Sequence, residues 1–192
     1  MSIKKVIGLT IAFLLCVSSI VGATWAYFSD TESSTGNSLV AGTLDLKTDD
    51  ADGVTQTLYA TNMKPGDSVG PSTIILNNSG TANGSTLDIA FSYVESDGSP
   101  NTVNRNADAT AAMIEVTTMN YGGFSLLDSV SDSNFNGYKD IQDLKNTDLS
   151  GRSGLNASAT KNLEITVQLR SNTGNDFQAD GINMTMNFIL NQ

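Results

Sequence analysis

The sequence of 192 residues contains no histidine. Histidine is the commonest general base and the commonest transition-metal ligand in proteins, so its absence excludes a Ser-His-Asp triad and a His-Glu-x-x-His zinc site. Cysteine is almost absent too, because the single one, Cys16, lies in an apolar stretch near the N-terminus. No disulfide framework is available to such a chain. Since the rest of the sequence also lacks catalytic motifs, we predict that the protein is not an enzyme.

Positive charge is scarce as well, with 10 Lys and Arg residues against 20 Asp and Glu residues and a net charge of -10. Lys4 and Lys5 both precede the apolar stretch, so a chain that has lost them carries -12. This balance repels a polyanion such as nucleic acid. We therefore expect no nucleic-acid partner, and a basic protein or a cation-rich environment suits the chain better.

Residues 1–26 have the features of a signal peptide. The positively charged MSIKK is followed by VIGLTIAFLLCVSSIVGA, an apolar run long enough for a signal peptide or a minimal membrane span. Thr24 and Ala26 are small residues at positions -3 and -1 of a cleavage site before Tyr27. The sequence therefore predicts export, with cleavage between Ala26 and Tyr27.

Three interpretations of this leader compete: a cleaved signal peptide, an uncleaved anchor and a lipoprotein leader modified at Cys16. The small residues favour cleavage, and Val21 with Ala23 offers a second site, before Thr24. The residues before Cys16 are too large for a lipobox. No second apolar stretch of membrane length follows, so we expect membrane contact only through the leader, and a mature protein that is extracellular or at the cell surface.

Short runs of alternating apolar and polar residues follow the leader, separated by clusters of Gly, Asn, Asp and Ser. Such period-two spacing predicts half-buried β-strands, over residues 38–48, 55–62, 72–78, 85–96, 111–123, 162–170 and 181–191. This spacing predicts an all-β domain over residues 38–192, an antiparallel β-sandwich of the jelly-roll or immunoglobulin-like kind. One short helical insertion is expected within residues 138–149, where Ile141 and Leu144 share a face.

Residues 132–143, DSNFNGYKDIQD, have the ligand spacing of a calcium-binding loop. Gly137 occupies the sixth position, where such a loop turns sharply. A hard cation such as Ca²⁺ binds many oxygen atoms in flexible geometry. The predicted ligands, at loop positions 1, 3, 5, 7, 9 and 12, are Asp132, Asn134, Asn136, the carbonyl oxygen of Tyr138, Asp140 and Asp143.

Two interpretations of this loop stay open. Asp143 is shorter than the Glu that usually ends a calcium loop, and only three of the six ligands are carboxylates. A calcium ion there would bind weakly and serve a structural role, because fewer charged ligands lower the affinity. Alternatively, the segment is a surface turn rich in Asn and Asp that leads into a short helix, since Asn-Gly is a common turn.

Four Asn residues open an Asn-x-Ser or Asn-x-Thr triplet, the acceptor sequence for glycans in an exported chain. They are Asn77, Asn83, Asn156 and Asn183. A chain rich in Asn, Ser and Thr also produces such triplets by chance, so both interpretations stay open.

Four motifs resemble the TasA and camelysin family of exported proteins, which includes related archaeal bundling pilins. They are TWAYFSDTES at the leader boundary, NSLVAGTLDL, MKPGDSVGPSTIILNNSGT and the closing NDFQADGINMTMNFILNQ. The motifs occur in the family's order and cover both ends and the first half of the mature chain. Residues 97–160 match no motif of the family.

The resemblance implies a jelly-roll sandwich, cleavage by a dedicated signal peptidase and assembly into a filament or pilus of the biofilm matrix. In such filaments the segment after the cleavage site leaves its own subunit and adds as a strand to the next identical subunit, head to tail. This contact is heterologous, so it propagates. Residues 27–37 are then a flexible N-terminal segment, and the candidate donor-strand residues are Tyr27, Phe28, Ser29, Asp30 and Thr31.

Some members of the family are described as metallopeptidases, but a chain without histidine cannot form a conventional zinc-peptidase site. The leading prediction is therefore a secreted structural subunit of an extracellular filament. The alternatives are a monomeric cell-surface binding or adhesion module and an exported peptidase.

Overall fold

The computed structural model describes residues 29–32, 43–49, 63–99 and 103–192, with the backbone alone at residues 29–32. Several predicted features lie outside these ranges. They are the signal peptide with its cleavage residues Thr24, Ala26 and Tyr27, the donor-strand residue Phe28, the predicted strand over 55–62 and the first part of the predicted strand over 38–48.

The described part of the chain contains nine strands and two α-helices, together with short 3₁₀ helices at Leu127–Ser129 and Asn175–Phe177. The strands are β1 (Ser29–Glu32), β2 (Leu46–Thr48), β3 (Ser68–Asn78), β4 (Thr86–Glu95), β5 (Ile114–Tyr121), β6 (Phe124–Ser125), β7 (Leu149–Ser153), β8 (Thr160–Leu169) and β9 (Ile182–Asn191). The helices are α1 (Ala107–Ala111) and α2 (Ile141–Asn146). In these ranges no helix has the length and apolar character that a membrane crossing requires.

The strands form two antiparallel sheets. One has the order β1-β9-β4-β7 and the other the order β2-β3-β8-β5-β6. We set β2 aside and number the other eight strands from 1 to 8 along the chain. In this numbering, one sheet has the order 1-8-3-6 and the other has the order 2-7-4-5. This is the order of a jelly roll, in which two Greek keys wrap into facing sheets. The prediction of a jelly-roll-like antiparallel sandwich is confirmed.

The core lies between the sheets because the inward-facing side chains of both are apolar. In β4, for example, Leu87, Ile89 and Phe91 alternate with more exposed residues, as period-two spacing requires. The opposite sheet contributes Leu163 and Ile165 of β8, which are both fully buried. Burying a side chain of this size contributes about 1.5–3 kcal/mol. The same alternation in the sequence predicted these strands.

Both helices lie in segments that connect strands, and only α2 was expected from the sequence. It begins after Asp140, inside the predicted range, and ends before Thr147. The structure adds α1, whose N-cap Asn106 accepts a hydrogen bond from the Ala109 N–H at 2.9 Å. An Asn before helix-forming residues is a start signal. In the sequence, period-two spacing extended the predicted strand back to residue 111, which is the last residue of this helix. The strand β5 begins only at Ile114.

Candidate functional site

The first candidate site is the sheet edge formed by β1. Ser29 lies opposite Asn191 and Glu32 opposite Phe188, so β1 pairs antiparallel with the last four residues of β9. The predicted donor-strand residues Ser29, Asp30 and Thr31 are therefore an edge strand on their own chain. Tyr27 and Phe28 lie outside the described residues.

The strand β1 covers only part of one side of β9. On the other side, β9 pairs with β4 along its whole length, from Ile182 to Asn191. On the β1 side, pairing reaches only Phe188–Asn191, and no other described strand is a neighbour of β9 there. Residues 182–187 of β9 thus have one backbone edge without a ladder partner in the described part of the chain. We call this stretch the open edge of β9.

The inward-facing side chains of β9 are fully buried where β1 is paired and only partly buried along the open edge. Phe188 is 1% exposed and Leu190 is 0% exposed, where β1 is paired. Ile182, Met184 and Met186 continue the same face along the open edge, but they are only partly buried. The open edge therefore combines backbone groups that can pair with apolar side chains that further covering would bury.

The second candidate site is the loop at residues 132–143, which the structure forms as a compact turn. The Asp132 carboxylate accepts hydrogen bonds from the backbone N–H groups of Asn136 at 3.1 Å and Gly137 at 2.8 Å. Asn136 N–H also reaches Asn134 Oδ1 at 3.1 Å. Gly137 has φ +86°, a conformation that favours glycine, so it makes the sharp turn expected at the sixth position.

Asp140 and Asp143 lie where the loop enters α2, and both side chains are 0% exposed. They form a capping box, in which the carboxylate of each accepts a hydrogen bond from the backbone N–H of the other. Asp143 Oδ1 also accepts hydrogen bonds from the backbone N–H of Ser133 at 2.7 Å and from its hydroxyl at 2.8 Å. The two carboxylates therefore fix the end of the loop to the start of the helix.

Side-chain amides supply the other partners of Asp140. The Asn134 and Asn136 amide groups donate to Asp140 Oδ2 at 3.1 Å and 2.7 Å. Burial raises the pKa of Asp140, and these two hydrogen bonds act in the opposite direction. Among the described residues, no Lys or Arg forms an ion pair with Asp140 or Asp143. The two buried carboxylates thus have backbone N–H, amide and hydroxyl partners, but no ion-pair partner among the described residues.

The side-chain oxygens of five predicted ligand residues accept hydrogen bonds from groups of the same loop and the helix start; the five are Asp132, Asn134, Asn136, Asp140 and Asp143. Asn136 Oδ1, for instance, accepts a hydrogen bond from the Tyr138 N–H at 2.9 Å. Within the described ranges, no group of three or more His, Cys, Asp or Glu residues is arranged to hold a metal ion. The geometry is compatible with either interpretation of the loop, a weak calcium site or a self-capped surface turn.

The sequence analysis did not identify Arg170, which directly follows β8 and contacts the 132–143 loop at Tyr138. Its guanidinium carbon lies 3.7 Å from the centre of the Tyr138 ring, and its Nη1 group donates to the Ala112 carbonyl at 3.3 Å. Arg170 is buried, an uncommon state for arginine. No local sequence signal identifies the contact between Arg170 and Tyr138, because these two residues lie far apart in the chain.

The four glycosylation triplets lie in different settings. Asn83, Asn156 and Asn183 are exposed, and Asn183 lies within the open edge of β9. Asn77 is partly buried in β3. A glycan needs an exposed acceptor, so Asn83 and Asn156, which lie outside the strands, are the best placed.

The profile of the camelysin metallo-endopeptidase family matches residues 2–192. The chain therefore belongs to this family, as its motifs predicted. Members of the family are typically exported or found at the cell surface, which agrees with the leader predicted at residues 1–26. No curated protein matches the chain.

The family's description implies a catalytic metal, and the ligands that this chain offers do not fit a histidine-based peptidase centre. Zinc peptidases hold their metal with two or three histidines, and this sequence has none. The only thiol, Cys16, lies in the predicted leader. The carboxylates that remain do not cluster in threes among the described residues.

Proposed function

We propose that the protein is a secreted structural subunit of an extracellular filament or pilus of the biofilm matrix, and that its mature N-terminus joins one subunit to the next. The observation that carries this proposal is the position of β1, a four-residue strand at the edge of a jelly roll. It begins two residues after the predicted cleavage site. Cleavage before Tyr27 would free this segment to pair with another subunit.

Strand exchange of this kind has a clear energetic basis. β1 pairs with β9 over four residues, whereas β9 is ten residues long. A longer strand along the same edge would form more ladder hydrogen bonds and bury more apolar surface. A donor that leaves one subunit and enters the next makes a heterologous contact, which extends into a filament rather than closing into a dimer.

The expected partners follow from this mechanism. They are identical subunits head to tail, and a dedicated signal peptidase during export. The net charge of -10 is unfavourable for nucleic acid. The absence of histidine favours a structural role over the peptidase activity in the family's description.

The proposal is tested with a purified chain that begins at Tyr27, examined by size-exclusion chromatography and electron microscopy over a range of salt and calcium concentrations. Filaments or large head-to-tail polymers are expected. A single small species under every condition would contradict the proposal and favour a monomeric binding module.

That second candidate has one specific observation in its favour. Phe135, in the 132–143 loop, is 90% exposed and adopts φ +57°, so the loop holds an aromatic side chain in solvent. Exposed aromatic residues are typical of binding surfaces. An exported peptidase is the remaining alternative, and hydrolysis of casein that a chelator abolishes would support it.

We also propose that the 132–143 loop binds a structural calcium ion weakly. The supporting observation is the pair of buried carboxylates, Asp140 and Asp143, which have no cationic side chain as partner among the described residues. Buried charges in proteins are usually paired or bound to a metal. Asp132, Asn134, Asn136 and the Tyr138 carbonyl would complete the ligand set.

A further inference from the structure

We infer that Asn136 is a site of spontaneous chemical modification, at which the chain converts its own asparagine to aspartate or isoaspartate. The reaction uses the backbone nitrogen of Gly137, other groups of the 132–143 loop and water, so it requires no second protein. The inference is independent of the filament proposed above. Only its consequence for calcium binding rests on the proposed calcium site.

An Asn-Gly pair is the sequence that favours this reaction. The backbone nitrogen of the residue after asparagine attacks the side-chain amide carbon, Cγ, and a succinimide ring forms. Glycine has no side chain to obstruct the attack. The sequence contains two such pairs, Asn83 with Gly84 and Asn136 with Gly137. The two pairs therefore allow a comparison within one molecule.

The reaction conserves atoms in two steps and oxidises or reduces nothing. In the first step, the bond between the Gly137 nitrogen and Asn136 Cγ forms, and the bond between Cγ and Nδ2 breaks. The proton of the Gly137 nitrogen leaves with Nδ2 as ammonia. In the second step, water opens the ring. Cleavage of the new bond to Cγ gives aspartate, and cleavage of the original peptide bond gives isoaspartate.

The loop places a group at each of the atoms that react. The Gly137 N–H donates to Asp132 Oδ2 at 2.8 Å, so a carboxylate is in position to take the proton of the attacking nitrogen. The Tyr138 N–H donates to Asn136 Oδ1 at 2.9 Å, which stabilises the negative charge that this oxygen gains during the attack. The leaving nitrogen, Nδ2, donates to Asp140 Oδ2 at 2.7 Å. One turn thus holds the nucleophile, the amide group and a base together.

The glycines of the two pairs have different surroundings. Gly137 is exposed, and no described atom outside residues 136–138 lies within 4 Å of the position that a Cβ would take. Gly84 is buried, and a Cβ there would lie 2.4 Å from Leu190 Cδ1. The Gly84 N–H donates to the Leu155 carbonyl at 2.8 Å, and a carbonyl oxygen is too weak a base to take its proton. The structure therefore favours the reaction in the loop and hinders it at the other pair.

Conversion to aspartate changes the contact between residue 136 and Asp140. The Asn136 amide donates to the carboxylate of Asp140, which is 0% exposed, and a charged oxygen replaces that donor in the product. Two carboxylates at this distance repel each other, and a bound cation relieves the repulsion. The product also adds a fourth carboxylate to those of Asp132, Asp140 and Asp143, which raises the affinity of the proposed site for calcium. The converted loop should therefore depend on a cation more than the unmodified loop does.

Peptide mass spectrometry tests the inference on a chain that begins at Tyr27 and is incubated at neutral pH for weeks. Conversion raises the mass of a peptide by about 1 Da. We expect conversion at Asn136 to be about tenfold faster than at Asn83, or more, because base assistance operates only in the loop. In denaturant the loop geometry is lost, and the two rates should become similar. Equal rates in the folded chain, or a rate at Asn136 that rises on unfolding, would overturn the inference.

Asp132→Asn isolates the role of the base. Its amide oxygen can still accept the hydrogen bond from the Gly137 N–H but cannot take the proton. Conversion at Asn136 should slow by about tenfold or more. Asp128→Asn, which removes an exposed carboxylate outside the loop, should leave the rate unchanged. Equal rates in these two variants would overturn the inference. If Asp132→Asn lowers the melting temperature, the comparison of the two Asn-Gly pairs in the unmodified chain decides alone.

Asn136→Asp tests the consequence for calcium separately. Without calcium, this variant should melt at a lower temperature than the unmodified chain, because two carboxylates then meet at Asp140. Calcium should raise its melting temperature more than that of the unmodified chain. Equal responses to calcium would overturn this consequence and leave the modification standing, since mass spectrometry decides the modification on its own.

Discussion

Asp140 and Asp143 cap the first turn of α2 reciprocally, since the carboxylate of each accepts a hydrogen bond from the other's backbone N–H at 3.1 Å. The pair joins the end of the 132–143 loop to the helix, and neither carboxylate has an ion-pair partner among the described residues. Two predictions follow from this arrangement, one for calcium and one for pH.

Calcium should raise the melting temperature of the protein, and isothermal titration should show weak binding. Asp132→Ala should abolish both effects, because Asp132 occupies the first ligand position of the loop. Asp128→Ala is the control, since Asp128 is an exposed carboxylate outside the loop. Unchanged stability in calcium for the unmodified chain, or an equal loss in both variants, would show that the loop is only a capped turn.

Without calcium, the pH dependence of stability should show the cost of burying Asp140. Burial raises its pKa in the folded state, so the folded chain binds a proton more readily than the unfolded chain. The contribution of Asp140 to the free energy of unfolding should therefore fall as the pH rises above about 3.9, the ordinary pKa of Asp. Denaturant unfolding of the unmodified chain and of Asp140→Asn, in chelator at several pH values, measures this contribution. Parallel pH profiles would contradict it.

Tyr93 should contribute to stability by joining β4 to both helices. Its hydroxyl donates to Asp108 Oδ1 at 2.6 Å, and the Lys145 ammonium contacts the same oxygen at 3.1 Å. Removing the hydroxyl in Tyr93→Phe should cost about 1 kcal/mol in the free energy of unfolding. In a double-mutant cycle with Asp108→Asn, measured by urea unfolding, the two losses should not add. Full additivity would mean that the hydrogen bond contributes nothing.

Apolar residues along β9 should differ in their importance for the monomer. Phe188→Ala should cost about 3–5 kcal/mol, because its side chain is buried in the core. Met184→Ala should cost less in the monomer, since Met184 is only partly buried at the open edge. The same Met184 change should weaken assembly, measured as the protein concentration at which polymers appear. An assembly threshold that does not change would argue against burial of Met184 by a partner.

Much of the fold could be predicted from the sequence, because period-two spacing records which face of each strand is buried. In β9, Met184, Met186 and Phe188 fall on the inward face as that spacing predicted. Beyond local spacing, prediction failed for β7, whose residues LSGRS show no clear alternation and which pairs with β4 through a shifted register. Such a strand is specified by its tertiary neighbours.

The features of the candidate sites also fall into two groups, those that a local sequence pattern specifies and those that tertiary contacts specify. The Pro-Gly pair at residues 65–66 is a local turn signal, and in the structure Asp67 N–H donates to the Lys64 carbonyl at 2.9 Å and Gly66 has φ +94°. Ligand spacing singled out the 132–143 loop as a candidate calcium site, and calcium binding there stays a prediction. The open edge of β9 could not be predicted, because it depends on where β1 stops, and no local pattern specifies the length of a pairing between the two ends of a chain.

The most direct test of the central claim, that the N-terminal segment joins subunits, is electron microscopy of chains that begin at Tyr27 or at Ser38. Filaments should form with the first chain and not with the second. A synthetic peptide of residues 27–37 should bind the shorter chain and leave it as single complemented subunits. Filaments from the chain that begins at Ser38 would contradict the account.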